Sequence, residues 1–269
     1  MHRSEIIEAL EKKGYQAKKH DVIKNSHMFK GITINTGTRI NPVIYTGLVL
    51  DGTETADEAA DKVISIYETY KDAPIDANIL SDREWIMDHL TIAFQRVSDE
   101  DLVKKPTEYE GIEQYLIIIY ENPYESFSIK VTPGLLANAR LPEFEAWGSG
   151  LIHLIDSSEI ISLKQMLSDT LNQTFSDNGN DPMHIHVVTT SHRTKGAAAI
   201  LNRGDLMEFA KNHDVDKLVV LPSSIHEMLV IPYDGSQDID DFSRMVKEIN
   251  ATQVAPEERL TDKAYIIEF

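Results

Sequence analysis

Residues 217–232 of this chain read KLVVLPSSIHEMLVIP, and they are the strongest indication of its fold. It contains two short apolar runs, 218–221 and 228–231, each rich in β-branched residues and each followed by a proline. Runs of this length are too short for helices and are typical of strands buried on both faces of a sheet. The residues between them are enough to close an antiparallel hairpin. The sequence therefore predicts a β-hairpin at the centre of a sheet.

The bend of this hairpin is polar and contains the candidate catalytic residues Ser223, Ser224, His226 and Glu227. A serine, an imidazole and a carboxylate are the groups that nucleophilic catalysis uses. Two arguments oppose that reading. Neighbouring side chains on a strand point to opposite faces, and a catalytic serine and its base normally come from separate segments. We favour a structural role, in which the hydroxyls of Ser223 and Ser224 satisfy loose backbone groups of the turn.

The composition is strongly acidic, with 44 Asp and Glu against 26 Lys and Arg and a net charge of −18. The first thirty residues are the exception, because they hold more basic than acidic residues. A charge of this sign disfavours direct binding to nucleic acid or to an anionic membrane surface. It suits solubility, and it also suits docking on a basic partner.

Cysteine is absent, which excludes disulfides, thiol nucleophiles and thiolate metal sites. The N-terminal residues mix charges with apolar residues, unlike a signal peptide, and no apolar window reaches the length of a membrane span. We therefore expect a cytoplasmic protein without a membrane anchor.

Periodicity and turn residues predict the elements that precede the hairpin. A helix follows Ser4, and a lysine-rich edge strand follows over 15–25. Two helices open with capping boxes, at Thr55 with Glu58 and at Ser81 with Glu84, and the second is predicted to run to Val97. The remaining predictions are strands at 29–35, 43–50, 115–120 and 126–131, a helix interrupted by Pro142, and a helix that begins after Ser158.

The C-terminal part has the predicted order β-β-α-β-β-α-β, with strands at 185–190, 197–201, 218–221, 228–231 and 264–267. This order favours an α+β fold with largely antiparallel sheets covered by helices. The polar stretch 176–182 (SDNGNDP) is the predicted internal boundary, between an N-terminal region 1–175 and a C-terminal region 183–269. One continuous domain is the alternative.

Metal binding is the main enzymatic hypothesis. His184 and His186 are two residues apart, so on a strand they would share a face, and His192 in the following turn could be a third ligand. Neutral imidazoles suit zinc, nickel or iron. Alternating histidines on a strand are also common without a metal.

The sequence identifies no cofactor, since it contains neither of the glycine-rich phosphate-binding motifs. We predict a protein of unknown activity whose main role is interaction, as an accessory protein that docks on a basic protein partner. The alternative is a metal-dependent hydrolase that uses His184, His186 and His192, and it requires these residues and the 223–227 bend to meet in one concavity.

Five segments also carry a resemblance to a known family. They are KGITI (30–34), NPVIY (41–45), KGAAAIL (195–201), LPSSIHEMLVIP (221–232) and INATQVAPEERLTD (249–262). In these segments the chain resembles a family of uncharacterised bacterial proteins, widespread in gut Firmicutes, whose members carry a domain of unknown function over nearly their whole length. The resemblance implies a bacterial cytosolic protein and supplies no reaction or ligand.

Overall fold

The structure is a computed structural model of the chain, and it describes residues 2–35, 43–52, 54–70, 77–121, 126–171 and 185–269. Contacts within the chain divide it into two compact units, Met1–Ile79 and Leu80–Phe269. Both units combine helices with antiparallel sheet, which confirms the predicted α+β class.

The first unit is a three-stranded antiparallel sheet packed against helices. Its elements are α1 (Arg3–Lys12), β1 (Ala17–Lys24), β2 (His27–Ile34), β3 (Val43–Tyr45), α2 (Thr46–Val49) and α3 (Ala56–Tyr70). The strand order β1-β2-β3 confirms β1 as an edge strand. Leu10 of α1 and Val63 of α3 are buried against Ile32 and Ile44 of the sheet.

Two predictions in this unit have different outcomes. The capping box is confirmed, because Thr55 N donates to Glu58 Oε2 at 2.8 Å and Glu58 N donates to Thr55 Oγ1 at 3.3 Å. The strand predicted over 43–50 ends at Tyr45. There Thr46 Oγ1 donates to Lys30 O of the neighbouring strand, and the chain turns into α2.

The second unit contains two antiparallel sheets together with several helices. Its helices are α4 (Arg83–His89), α5 (Pro133–Asn138), α6 (Glu143–Ser157), α7 (Leu163–Leu171), α8 (Arg203–Asn212) and α9 (Ile239–Gln253), with 3-10 turns at Gly196–Leu201 and Pro256–Glu258. Its strands are β4 (Leu90–Arg96), β5 (Lys104–Pro106), β6 (Ile112–Glu121), β7 (Ser126–Lys130), β8 (Ser158–Ser162), β9 (His186–Thr190), β10 (Lys217–Pro222), β11 (Met228–Pro232) and β12 (Tyr265–Glu268). A further 3-10 turn, Ala77–Ser81, includes the last residues of the first unit and the first of the second.

The predicted hairpin is confirmed and lies inside the five-stranded sheet, whose order is β12-β10-β11-β9-β8. Strands β10 and β11 pair from Leu218↔Pro232 to Pro222↔Met228. Val219 and Ile231 pack against α9 on one face, whereas Val220 and Val230 belong to the main core on the other. Burial on both faces explains why these strands are apolar without alternation.

The other sheet is built around β6, which pairs with β4 on one side and with β5 and β7 on the other. Helix α6 packs on β4 through small buried residues, Ala146 and Gly150. A Cβ atom at Gly150 would lie 3.0 Å from Leu116 Cδ2, so the helix approaches the sheet closely. Pro142 precedes this helix and separates it from α5, as predicted.

The helix predicted to open with a capping box at Ser81 and to run to Val97 is wrong at both ends. Its N-cap is Asp82, whose carboxylate accepts from Glu84 N and Trp85 N, and the helix ends at His89. The next seven residues form β4 and pair with β6 from Leu90↔Ile118 to Arg96↔Ile112. The β-branched and aromatic residues of this run fit a strand, so pairing with β6 overrides the apparent helical period.

Two further element predictions are corrected. Ser158–Ser162 is a strand that pairs with β9, and only the residues from Leu163 onward are helical. Residues 197–201 lie in a buried 3-10 turn instead of a strand. Three consecutive alanines have no strand preference, and their small side chains allow the turn to pack tightly inside the core.

The predicted boundary at 176–182 lies outside the described residues. Strand β8 precedes it and β9 follows it, and these two strands pair with each other from Ser158↔Thr190 to Ser162↔His186. The contacts that define the second unit thus extend from residue 80 to residue 269. Of the helices in the described ranges, none has both the length and the hydropathy of a membrane span.

Gly196 provides a test of this packing. A Cβ atom at this position would lie 2.5 Å from Thr189 Oγ1, 2.6 Å from Thr190 N and 2.9 Å from His226 O. Because two of these atoms belong to the backbone, we expect Gly196→Ala to lower the free energy of unfolding by about 2–3 kcal/mol in urea titrations. Gly204→Ala is the control, since its nearest atom would lie at 3.5 Å in a helix. Equal stability of the two variants would contradict the packing described.

Candidate functional site

The bend between β10 and β11 is held by hydrogen bonds among its own residues. Ser223 Oγ and Ser224 Oγ both donate to Glu227 Oε1, at 3.1 and 3.0 Å. Ser224 Oγ in turn accepts from His226 N at 3.0 Å, and Ser224 is buried. Both hydroxyls are thus directed at a carboxylate, and the imidazole of His226 has other partners.

His226 connects the bend to the turn that follows β9. Its Nδ1 accepts from Lys195 N at 3.1 Å, so the ring proton lies on Nε2, which is 3.5 Å from Glu258 Oε1. Its carbonyl oxygen accepts from Thr189 Oγ1 at 2.9 Å. The bend therefore positions the segment from Thr189 to Lys195, which forms part of a cleft.

The structure separates the described histidines of the proposed metal set. His186 lies among aromatic rings of α8, with centroid distances of 4.7 Å to Phe209 and 5.4 Å to His213. His192 lies in the turn after β9, half exposed, with its Nδ1 3.4 Å from Glu121 Oε2. His184 is outside the described residues. Within the described ranges, no group of three or more His, Asp or Glu side chains has a geometry that could hold a metal ion.

An open cleft of about 320 Å³ lies where the two sheets of the second unit approach each other. Its walls come from the end of α4 and the start of β4, from the last turn of α6, and from the turn after β9. The polar residues lining it are Asp88, His89, Thr91, His153, Asp156, Ser157, Thr190, Ser191, His192, Thr194 and Lys195.

Two of the imidazoles in this cleft have a fixed tautomer. His89 Nδ1 donates to Trp85 O at 2.7 Å, and His153 Nδ1 donates to Leu90 O at 2.9 Å. A carbonyl oxygen can only accept, so in each neutral ring Nε2 carries the lone pair. His89 is held further by stacking on Trp85, with a centroid distance of 4.3 Å. Both rings are therefore hydrogen-bond acceptors at Nε2.

Asp88 and Asp156 add two carboxylates to the cleft. Both are exposed, and in the part of the chain that the structure describes neither has a salt-bridge or hydrogen-bond partner. Each lies in the last turn of its helix, where the helix dipole is negative. The wall formed by the turn after β9 includes Lys195, whose backbone lies in the left-handed region with a φ of 55°.

Sequence reasoning found His192 and missed the rest of this cleft. The three-residue spacing of His153 and Asp156, which in a helix places both on one side, was the available signal, although no helix was predicted over these residues. Asp88 and His89 could not be placed, because the helix prediction continued through them to Val97. Residues that form a site at the end of a helix cannot be recognised as a group when the helix is predicted to end elsewhere.

Helix α6 also has an exposed apolar face, which we call the α6 stripe. It consists of Phe144, Leu151, Ile152 and Ile155, whose exposed fractions are 76%, 40%, 59% and 41%. These residues are spaced so that they share one side of the helix, opposite the buried Ala146, Gly150 and Leu154. Helix α6 thus has two apolar faces, one in the core and one outside it.

Comparison with known proteins identifies the family. Residues 2–268 match the model of a family described as "Family of unknown function (DUF5688)". The chain belongs to the DUF5688 family. This confirms the resemblance to a family of uncharacterised function over nearly the whole chain. No curated protein and no solved structure matches this DUF5688 protein at a significant level.

A structural role for the bend in this DUF5688 protein is testable through Glu227. We expect Glu227→Ala to lower the free energy of unfolding by about 1–3 kcal/mol, because the buried Ser224 hydroxyl loses its acceptor. Urea unfolding measures this loss. Glu248→Ala, at an exposed position of α9, is the control and should change stability by less than about 0.5 kcal/mol. A Glu227→Ala variant as stable as the control would show that the bend does not depend on this carboxylate.

Proposed function

We propose that this DUF5688 protein is an interaction protein that docks on a basic partner through the α6 stripe. The partner segment is an amphipathic helix whose apolar side chains cover Phe144, Leu151, Ile152 and Ile155 and whose margins carry lysine or arginine. The observation that supports this proposal most directly is the apolar outer face of α6, in which four large side chains are 40–76% exposed.

The position of the stripe on a rigid element supports this proposal. The opposite face of α6 is packed on β4 and β6, and Leu154 is fully buried there. Single exposed apolar residues are ordinary, whereas contiguous exposed patches mark interaction sites. A helix laid along another helix would cover residues at this spacing.

The charge of the surroundings supports a basic partner. Helix α6 contains Glu143, Glu145 and Asp156 and no lysine or arginine. Glu145 is paired with Arg83, and Asp156 is exposed beside the stripe. Residues 80–269 hold 32 Asp and Glu against 16 Lys and Arg. Two copies of this unit would repel each other, so the charge favours a basic partner over self-association.

The metal-dependent hydrolase stays a sequence prediction. Of its two histidines that the structure describes, His192 lines the cleft and His186 contacts α8. The described residues add no observation that favours this reaction. The cytoplasmic location likewise rests on the sequence.

The proposal predicts that the α6 stripe binds a cationic amphipathic helix. A fluorescent synthetic helix of leucine and lysine is titrated with the protein, and binding is read from anisotropy. We expect Ile152→Ser and Ile155→Ser each to weaken binding by about 1–2 kcal/mol, because each removes apolar area from the contact. Ile249→Ser is the matched control, because Ile249 on α9 is 42% exposed.

Three outcomes would contradict the proposal. In the first, Ile249→Ser weakens binding as much as the stripe variants. In the second, a helix of leucine and glutamate binds as tightly as the lysine peptide at the same ionic strength. In the third, light scattering shows a dimer that Ile152→Asp dissociates, which would assign the stripe to a second copy of the chain.

A further inference from the structure

The cleft lies directly beside the α6 stripe. Ile152 and Ile155 belong to the stripe, and His153, Asp156 and Ser157 of the same helix line the cleft. Asp156 lies at the common edge, since it is exposed and follows Ile155 directly. A partner on the stripe therefore has side chains within reach of the cleft.

The wall formed by α4 and α6 consists of electron-rich groups. The carboxylates of Asp88 and Asp156 are without partners among the described residues. His89 and His153 direct Nδ1 at backbone carbonyls, so the tautomer that fits each contact has its acceptor lone pair on Nε2. Both carboxylates lie in the last turns of helices, where the dipole adds negative potential. These groups are suited to a hydrogen-bond donor with a positive charge.

The remaining charged groups of the cleft modify this potential and do not reverse it. Lys195 lines the opposite wall, where its backbone is held by His226. His192 lies 3.4 Å from Glu121, so any positive charge on it has an acidic neighbour. Two carboxylates thus face one lysine, in a unit whose net charge is negative.

We infer that the cleft binds an ammonium or guanidinium group, and that this group is the side chain of a lysine or arginine that the partner presents next to the stripe. Asp88 and Asp156 accept its N–H donors, and Nε2 of His89 and His153 accept those that remain. That this positively charged group belongs to a docked partner rests on the proposed docking function. The binding of the cation itself does not.

The experiment has one arm that needs no partner. Agmatine, which carries both an ammonium and a guanidinium, is titrated into the full chain while the imidazole signals of His89 and His153 are followed by NMR. We expect saturable shifts of both rings with a millimolar dissociation constant. Asp156→Asn and Asp88→Asn should each weaken binding roughly tenfold, as expected for the loss of a charge-assisted hydrogen bond. Asp101→Asn, at an exposed position away from the cleft lining, is the control and should leave the affinity unchanged.

The second arm uses the leucine and lysine helix. We expect Asp88→Asn with Asp156→Asn to weaken its binding, and Ile152→Ser to weaken the helix without changing the affinity for agmatine. The cleft assignment would be overturned if agmatine did not shift the imidazole signals, or if Asp101→Asn lowered the affinity for agmatine as much as the cleft variants. Either result would leave the proposed docking on the α6 stripe intact. Agmatine binding with no effect of the aspartate variants on the helix would overturn the partner side chain as the source and indicate a free small cation.

Discussion

Burial of the β10–β11 hairpin on both of its faces is the constraint on which the second unit depends. Val219 and Ile231 are packed under α9, and Val220 and Val230 lie in the main core. A strand packed on both faces cannot shift along its neighbours without disrupting the close packing on both sides. The bend between the strands is fixed as a consequence, and His226 then holds the backbone of Lys195. The sheet thereby determines the position of one wall of the cleft.

Helix α6 packs on the core and also contributes residues to the α6 stripe and to the cleft. Its buried side uses small residues, and Gly150 permits close approach to β4 and β6. Its outer side carries the α6 stripe, and its last turn supplies His153 and Asp156 to the cleft. A side chain on a packed helix is positioned more precisely than one on a loop. The same packing that stabilises the fold therefore places an exposed apolar face and a polar cleft side by side.

The predictions that failed did so where local pattern and long-range pairing disagree. Residues 90–97 have a spacing of apolar residues that suits a helix, yet Leu90–Arg96 pairs with β6. Residues 197–201, for which the sequence predicts a strand, belong to a buried 3-10 turn, and a Cβ atom at its first residue, Gly196, would clash with Thr189 and His226. Both errors concern segments next to the cleft. This is why the sequence indicated His192 and not the residues around it.

The central hairpin and the α+β class were predictable from the amino-acid sequence alone, because they follow from local composition and from the period of apolar residues. Only the tertiary structure decided that His186 and His192 have different surroundings, that His89 and His153 share a cleft with Asp88 and Asp156, and that the second face of α6 is exposed. These are relations between residues distant in the chain. They depend on strand pairing and helix packing, which the spacing of residues along one segment does not specify.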